Sequence, residues 1–424
     1  MTKMKLKIPF SPPDMSEEEA KEVREAILSG WITTGPRTKK LEAQISEYVG
    51  TVKAVCLSSA TAAMEMMLHL LDVQPDDEVI VPAYTYTATA SVTQHVGCRL
   101  VMVDSQKDHV EMDYEQLEQA ITEKTKVIMP VDIAGIVTDY DRVYEIVERK
   151  KNLFRPANAL QAKIGRIVVA ADCAHAFGAV RKGKMAGAIA DFSAFSFHAV
   201  KNFTTAEGGA LTWKLPFGTE IVPTDVDYMP TVPKIEDETW NEMLYRISQL
   251  FSLHGQNKDA LAKTKVGMWE YDIIGPWYKC NMTDIMASLG LVQMRRYPKM
   301  LERRQEIVAR YNAALDGLNV TVLNHKDAEH CSSHHLYMVR LPGKSREEVN
   351  RVMEQMAERG IATNVHFKPL PMMTAYKALG FHIADYPNAY RLFENEITLP
   401  LYTRLTDEEV DYVITNFVDI IKNL

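Results

Sequence analysis

Short apolar runs alternate with amphipathic segments along the first half of the chain. The apolar runs predict strands at Lys53–Leu57, Asp77–Pro82, Arg99–Asp104, Lys126–Val131 and Arg166–Asp172. The amphipathic segments predict helices, the first of which opens on the capping box Ser16–Glu19 and ends at Gly30. This alternation predicts right-handed crossovers and a mostly parallel sheet with helices on both faces.

The second half of the chain has a different rhythm. Residues 215–265 hold four prolines and predict a loop-rich excursion. The segments that follow predict a helix from Thr283 to about Tyr297, a charged helix at Lys299–Leu315, strands at His335–Arg340 and Ile361–Phe367, and helices capped by Ser345 and Thr406. We therefore expect a large domain over residues 1–265, connecting loop and linker helices over 266–315, and a small α+β domain over 316–424.

Composition narrows the function classes. The 424 residues carry a net charge of -8 without a long basic run, which argues against a nucleic-acid surface. Five scattered cysteines without a CxxC pair argue against a disulfide framework and a structural zinc site, and they suit a reducing cytoplasm. Since no long apolar run or signal-peptide pattern is present, we expect a cytoplasmic protein without a membrane segment.

One stretch, Asp191–Gly209, carries the candidate chemistry. It begins as an apolar, strand-like run, turns polar at His198 and places a lone lysine, Lys201, before a Gly-Gly turn. A lysine at a strand end can serve as a Schiff-base nucleophile, although a solvated surface lysine is the commoner case. Asp172 ends an earlier strand, and a carboxylate and a lysine so placed are what a pyridoxal-phosphate site requires.

Two further segments fit that hypothesis. Tyr86 follows the strand Asp77–Pro82 and could stack on the face of the cofactor ring. Ser58–Thr61 joins a strand to a helix, where free backbone N–H groups favour a phosphate. An ordinary Ser/Thr helix cap is the alternative interpretation of this junction.

The sequence resembles the DegT-type family of fold-type I pyridoxal-phosphate aminotransferases, which act on nucleotide-linked keto sugars. The resemblance covers nearly the whole chain and is carried by Gly30–Pro36, Ser59–Ala63, Asp77–Pro82, Asp172–Ala176, Ser196–Asn202, Ala206–Gly209, Tyr278–Asp284 and Leu399–Leu401. The stretch Ser196–Gly209 is especially similar to members that make UDP-4-amino-4-deoxy-arabinose from a 4-keto pentose.

The resemblance implies a role for each matching position. Lys201 would form the Schiff base, Asp172 would pair with the pyridine nitrogen, His175 would approach the ring hydroxyl, Tyr86 would stack on the ring, Ala60, Thr61 and Ser196 would bind the phosphate, and His366 would lie near the sugar. Lys279 and Asn281 match a loop that reaches the neighbouring subunit's site, which implies a homodimer with shared active sites. The implied reaction moves an amino group from L-glutamate, which leaves as 2-oxoglutarate, to a UDP-linked 4-keto sugar.

The chain also departs from the family pattern. Ala199 replaces a common proline, Cys280 a usual aromatic residue, and Asn364–Val365 a Gly-containing pair, while residues 155–163 and 223–241 are longer than typical. The last two departures are expected near the sugar pocket, so they bear on which sugar is bound. The alternatives are a pyridoxamine-dependent sugar dehydratase, whose relatives replace the lysine with histidine, and a non-catalytic sensor that keeps the cofactor site. A dinucleotide-dependent oxidoreductase lacks support because no GxGxxG follows an early strand.

Overall fold

A computed structural model describes residues 7–226, 228–257 and 270–424. Its strands are β1 Ala54–Leu57, β2 Glu78–Pro82, β3 Arg99–Val103, β4 Thr125–Ile128, β5 Val168–Asp172, β6 Val180–Arg181, β7 Lys184–Met185, β8 Phe192–Ser196, β9 Gly209–Trp213, β10 Thr321–Val322, β11 His330–Cys331, β12 Tyr337–Arg340 and β13 Glu396–Leu399. Its α-helices are α1 Glu17–Ser29, α2 Pro36–Val49, α3 Ala60–Leu70, α4 Thr87–Val96, α5 Tyr114–Ala120, α6 Tyr140–Arg149, α7 Ala159–Ile164, α8 Trp240–Ser252, α9 Asp284–Leu315, α10 Arg346–Glu358, α11 Thr374–Ala378, α12 Pro387–Glu394 and α13 Asp407–Lys422.

The largest sheet within these ranges is seven-stranded, in the order β1-β9-β8-β5-β4-β2-β3. Strands β3, β2, β4, β5 and β8 pair in parallel, whereas β9 runs antiparallel to both of its neighbours. The predicted α/β fold with a mostly parallel sheet is confirmed. Because β9 runs the other way, its first residue, Gly209, lies at the same edge as the carboxyl ends of the other strands.

Strand β5 shows why the sheet is covered on both faces. Its residues are all buried, and successive side chains point to opposite sides. Val168 and Ala170 join one hydrophobic cluster with residues of α3 and α8, while Val169 and Ala171 join another with residues of α2, α6 and the start of α9. Apolar residues at every position of the strand therefore bind helices to both faces, and the chain turns polar only at Asp172.

A smaller antiparallel sheet, β10-β12-β13, carries a third hydrophobic cluster built with α10, α13 and the end of α9. The N-terminal segment belongs to the same cluster. Ile8 is buried there, its N–H donates to the carbonyl of Gly360 (2.8 Å), and its carbonyl accepts from Ala362 N (2.9 Å). This anchor holds the next residues, including Phe10, close to the strand ends of the large sheet.

Three predictions of local structure were wrong. The expected loop-rich segment 215–265 contains the helix α8, which begins with a Thr239–Glu242 capping box; residues 258–265 lie outside the described residues. The two helices expected on either side of Pro298 form one helix, α9. Pro298 has no N–H to donate within the helix, but packing of the buried Tyr297 and Met300 keeps the helix continuous there. The expected strand Ile361–Phe367 makes only isolated bridges, because His366 N–H donates to the Glu396 side chain instead of continuing a ladder.

Several other elements were not predicted: the helices α5, α7, α11 and α12 and the strands β6, β7, β9, β10, β11 and β13. Across the described ranges, every helix is too short or too polar to cross a membrane.

Gly209, at the strand edge, lies directly against the backbone at the start of α3. A Cβ atom there would lie 2.5 Å from Ala60 N and against the carbonyl group of Ser59, at the start of α3. We predict that Gly209→Ala lowers the free energy of unfolding by about 3 kcal/mol, because the packed helix cannot retreat. Urea denaturation measures this loss. Gly183→Ala is the control. Its φ is +73°, but no atom of the described residues lies within 4 Å of the added Cβ, so only about 1 kcal/mol of backbone strain is expected. Equal losses in the two variants would contradict the steric argument.

Candidate active site

A cavity of about 360 Å³ opens at the carboxyl edge of the large sheet. Strand ends, the α3 N-terminus and the segment around His366 line it together. The predicted site residues that line it are Ala60, Thr61, Tyr86, Asp172, His175, Ser196, Lys201 and His366. Ligands in parallel α/β sheets bind at this edge, as the topology predicts.

Asp172 is the buried carboxylate of the cavity. Its Oδ2 accepts a hydrogen bond from Thr89 Oγ1 (2.7 Å), and its Oδ1 accepts one from the N–H of Ala174 (3.0 Å). Burial raises the pKa of Asp172, and the two hydrogen bonds and the charge of Lys201 counter that shift. Thr89 lies in the first turn of α4 and is fully buried. It was not predicted as a site residue, and no motif in the sequence marks it.

Lys201 lies in the turn after β8, where its N–H donates to the carbonyl of His198 (2.9 Å). Burial lowers the pKa of the Lys201 amine to about 8, although the Asp172 charge raises it again in part. An amine with this pKa is uncharged in a useful fraction of molecules near neutral pH. It can therefore act as a nucleophile or as a base.

The start of α3, beside these two residues, is a candidate anion seat. Ser59 caps the helix, with its side chain accepting from Ala62 N (3.0 Å), so Ala60 and Thr61 present first-turn N–H groups to the cavity. The Ser196 side chain lines the same part of the cavity, and Gly209 allows β9 to approach the helix closely. Both the phosphate interpretation and the capping interpretation of this junction are compatible with this geometry.

His175 lines the cavity as a neutral imidazole. Burial, and then the charge of Lys201, lowers the pKa of His175 well below its usual range. Its Nδ1 accepts a hydrogen bond from Ala134 N (3.2 Å), which places the proton of the neutral ring on Nε2. His175 thus offers a donor rather than a positive charge.

A second histidine, His335, packs against His175 with ring centroids 4.4 Å apart. Its Nδ1 lies 2.8 Å from Asn202 Oδ1, and the Asn202 amide donates to the carbonyl of Ser333 (2.7 Å). The buried Arg304 of α9 fixes this loop by donating to the carbonyls of His334 and His335. These residues were missed as a group because they come from three distant segments, namely Asn202, Arg304 and Ser333–His335, although Asn202 stands beside the predicted lysine.

Aromatic residues form the outer wall of the cavity. Tyr86 is 61% exposed, and its ring centroid lies 6.2 Å from that of Phe367. Phe10, from the anchored N-terminal segment, stacks on His366 at 5.6 Å. An exposed tyrosine at the mouth of a cavity has a free face for a planar ligand. Phe10 and Phe367 carry no signal in the sequence that would have predicted them here.

Lys279 and Asn281 are absent from the walls of their own chain's cavity. The Lys279 amine donates to the Asn281 side chain, and the Asn281 amide donates to Thr34 Oγ1 (2.5 Å). Their backbones make isolated bridges with Leu253 and Leu57. The structure therefore places these two predicted residues together but does not bring them to Lys201.

The residues that line the cavity have the chemistry that pyridoxal phosphate needs. A buried carboxylate suits a protonated pyridine nitrogen, an amine of lowered pKa suits the aldehyde, and first-turn N–H groups with hydroxyls suit the phosphate. Comparison with known proteins supports the same cofactor. The model of the DegT/DnrJ/EryC1/StrS aminotransferase family matches residues 13–418.

The chain belongs to this family. Its members are pyridoxal-phosphate-dependent aminotransferases, so the protein is a transaminase that uses this cofactor. The family recognised from the motifs is thereby confirmed.

Several solved structures and curated proteins resemble the chain over nearly its full length. A Streptococcus pneumoniae protein, Spr1654, described as a sugar aminotransferase and solved in PLP, PMP and apo forms, is 54% identical with a TM-score of 0.89, and the PLP form aligns over 99% of each chain. Helicobacter pylori PseC, an aminotransferase of pseudoaminic acid biosynthesis, is 26% identical with a TM-score of 0.82 over 99% of this chain and 100% of its own. Bacillus subtilis SpsC, a spore coat polysaccharide biosynthesis protein, is 34% identical over 98% of this chain and 97% of its own.

The lowered pKa of Lys201 can be measured in cofactor-free protein. We predict that acylation of Lys201 by acetic anhydride rises with a midpoint near pH 8, whereas ordinary lysines respond near about 10.4. Asp172→Asn should move the midpoint lower, because the negative charge that favours the protonated amine is removed. Peptide mass spectrometry across the pH series gives both midpoints. A Lys201 midpoint in the ordinary range, or an upward shift in Asp172→Asn, would contradict the assignment.

Proposed function

We propose that this transaminase moves the amino group of L-glutamate to a keto sugar carried on a nucleotide, with a UDP-linked 4-keto sugar as the favoured acceptor. The observation that carries the proposal is the meeting of Lys201 and Asp172 in one cavity beside an anion seat. The sugar acceptor is supported by the family, and by the activities described for Spr1654 and PseC. The nucleotide, the 4-keto position and glutamate rest on the sequence resemblance.

Each residue of the site has a proposed task. Lys201 Nζ would hold the cofactor's aldehyde carbon and would later take and return the proton of the substrate carbon. Asp172, held by Thr89 and Ala174, would accept a hydrogen bond from the pyridine nitrogen and favour its protonated form. When bound, pyridoxal phosphate supplies an electron-withdrawing ring that stabilises negative charge on the substrate carbon next to nitrogen.

The remaining residues would orient the two substrates. Ala60 N–H, Thr61 and Ser196 would bind the phosphate, and Tyr86 would cover one face of the ring. His175 would donate from Nε2 to the ring oxygen without adding a positive charge beside Lys201. His366, which also lines the cavity, would contact the sugar.

A homodimer with shared sites is part of the proposal. Lys279 and Asn281 match a family loop that serves the neighbouring subunit, and neither residue lines the cavity of its own chain. A neighbouring copy would then complete each site with these two side chains. The cavity would also be closed on one side by the second chain, which excludes water from the reacting groups.

Transfer of labelled nitrogen tests the reaction. We predict that holoenzyme moves ¹⁵N from glutamate to a UDP-linked 4-keto sugar, and that Lys201→Ala lowers the rate by at least about 1,000-fold while the fold is kept. Mass spectrometry of the sugar product gives the rate, and GDP- and dTDP-linked sugars compare the acceptors. Lys182→Ala, an exposed lysine paired with Asp141 (2.6 Å), is the control and should keep wild-type activity.

Other outcomes of this assay identify the alternatives. Near-normal transfer by Lys201→Ala would end the proposal. A deoxygenated sugar formed without nitrogen transfer would identify a dehydratase.

Complementation tests the shared site. Lys201→Ala and Lys279→Ala should each be nearly inactive, and mixed dimers should regain up to about one quarter of wild-type activity. The reason is that a mixed dimer has one site with both lysines when Lys279 acts across the interface. Activity is measured after the two variants are unfolded and refolded together, with each variant refolded alone as the control. Failure of the mixture to exceed the separate variants would place Lys279 in its own chain's site.

A further inference from the structure

Strand β13 presents two polar side chains toward His366. Because successive residues of a strand face opposite sides, Glu396 and Thr398 share one face, while Ile397 and Leu399 enter the hydrophobic cluster of the smaller sheet. His366 Nδ1 lies 2.9 Å from Thr398 Oγ1, and Thr398 Oγ1 is in turn hydrogen-bonded to Glu396 Oε1. The other carboxyl oxygen, Oε2, accepts from the backbone N–H of His366 (2.9 Å).

This chain of hydrogen bonds runs from the protein interior to the cavity. Glu396 and Thr398 are fully buried, whereas His366 lines the cavity. The ring of His366 is held between Phe10, with centroids 5.6 Å apart, and Phe367, at 5.0 Å. Since Nδ1 is engaged by Thr398, Nε2 is the ring nitrogen left to meet a ligand.

The described groups around these hydrogen bonds donate to other acceptors and form no ion pair with the Glu396 carboxyl group. Arg346 of α10 donates its Nη1 to the carbonyls of Phe393 (3.1 Å) and Glu396 (2.7 Å). Tyr84 donates its hydroxyl to the carbonyl of His366 (2.5 Å). Arg340, opposite Glu396 in β12, donates to the Asn395 side chain (3.1 Å). On the cavity side, the charge that acts on His366 is that of Lys201.

The direction of the hydrogen bonds depends on the charge of Glu396. When the carboxyl is ionised, Thr398 donates to it and must accept from His366 Nδ1–H, so Nε2 is a bare acceptor. When Oε1 carries a proton, it donates to Thr398, Thr398 donates to Nδ1, and Nε2 must carry the ring proton. The imidazole is neutral in both states, and only its tautomer differs.

We propose that Glu396, acting through Thr398, sets the tautomer of His366 and thereby decides whether the cavity meets a hydrogen-bond donor or an acceptor at Nε2. Glu396 and Thr398 are positioning residues, because they act through His366. The ligand group that His366 would meet is a carbonyl or hydroxyl oxygen of the sugar, and this identification rests on the proposed function. Loss of the Nε2 proton to such an oxygen is balanced by transfer of the Thr398 proton to Nδ1 and of the Glu396 proton to Thr398. The reverse transfers restore the donor.

The pKa shifts of Glu396 and His366, the two ends of this hydrogen-bonded series, agree with this geometry. Burial raises the pKa of Glu396 to about 8, and its hydrogen bonds and Arg346 only partly oppose the shift. Burial and the charge of Lys201 lower the pKa of His366 to about 3. Near neutral pH, the change of charge therefore takes place at the buried carboxyl rather than on the imidazole.

Nitrogen NMR of the histidine ring tests the tautomer directly. In ¹⁵N-histidine-labelled holoenzyme, with the His366 signals assigned by comparison with His366→Asn, we expect the Nε2–H form below about pH 8 and the Nδ1–H form above it. Glu396→Gln should fix the Nε2–H form at every pH, because its amide donates to Thr398 as the protonated acid does. Thr398→Ser should keep the step and Thr398→Val should abolish it. A tautomer of His366 that is independent of pH in the wild type, or that still changes in Glu396→Gln, would overturn the proposal.

Kinetics test whether the reaction uses the switch. For amination of the keto sugar, we expect kcat/KM to show a step near pH 8. Glu396→Gln should lack this step and Thr398→Ser should retain it. Thr398→Val should lower kcat/KM by at least about 10-fold. A tautomer change without any difference between these pH profiles would overturn the positioning role. If the wild type aminates no sugar, the proposed function fails, and the NMR result alone then decides the tautomer switch.

Discussion

A carboxylate held inside the protein, at the end of a dry strand, is the constraint on which the site depends. Asp172 follows four buried apolar residues, and burial raises its pKa. An isolated buried charge is costly, so the surrounding elements must supply partners. The Thr89 hydroxyl comes from the first turn of α4, the Ala174 N–H from the next turn of the chain, and the amine of Lys201 from beyond β8. The parallel pairing of β5 with β8 and the position of α4 are therefore both needed to supply the groups that counter the burial of this one side chain.

Much of the large sheet could be predicted because its strands are short, apolar on both faces and separated by capped helices. Strand β9 was missed because its first residue, Gly209, belongs to the Gly-Gly pair, which is typical of a turn and not of a strand. Helix α8 was missed because the preceding prolines outweighed its Thr239–Glu242 capping box, which was visible in the sequence. The one-helix structure of α9 could not be predicted, because the packing of Tyr297 and Met300 overrides the local preference of Pro298.

Within the site, the predictable residues are those that follow a strand of the large sheet. Asp172, Lys201 and Tyr86 were placed by the rule that parallel strands meet at one edge. Residues that reach the cavity from distant segments have no such signal: Phe10 arrives because Ile8 is anchored to Gly360, and His335 arrives because Arg304 holds its loop. Such contacts depend on tertiary packing, which periodicity and spacing do not record.

The histidines around Lys201 explain how the site can be polar without being strongly positive. Burial is the first cause that lowers the pKa of His175, His335 and His366, and the charge of Lys201 lowers each further. Neutral imidazoles still donate and accept hydrogen bonds, so they can orient oxygen atoms of a ligand. Because these imidazoles add no charge, the charge that acts on Asp172 in the cavity is that of the Lys201 amine. Burial keeps the three histidines from becoming imidazolium ions, which would also be attracted to Asp172. In a cavity with this balance, the amine can release its proton while the three imidazoles stay uncharged.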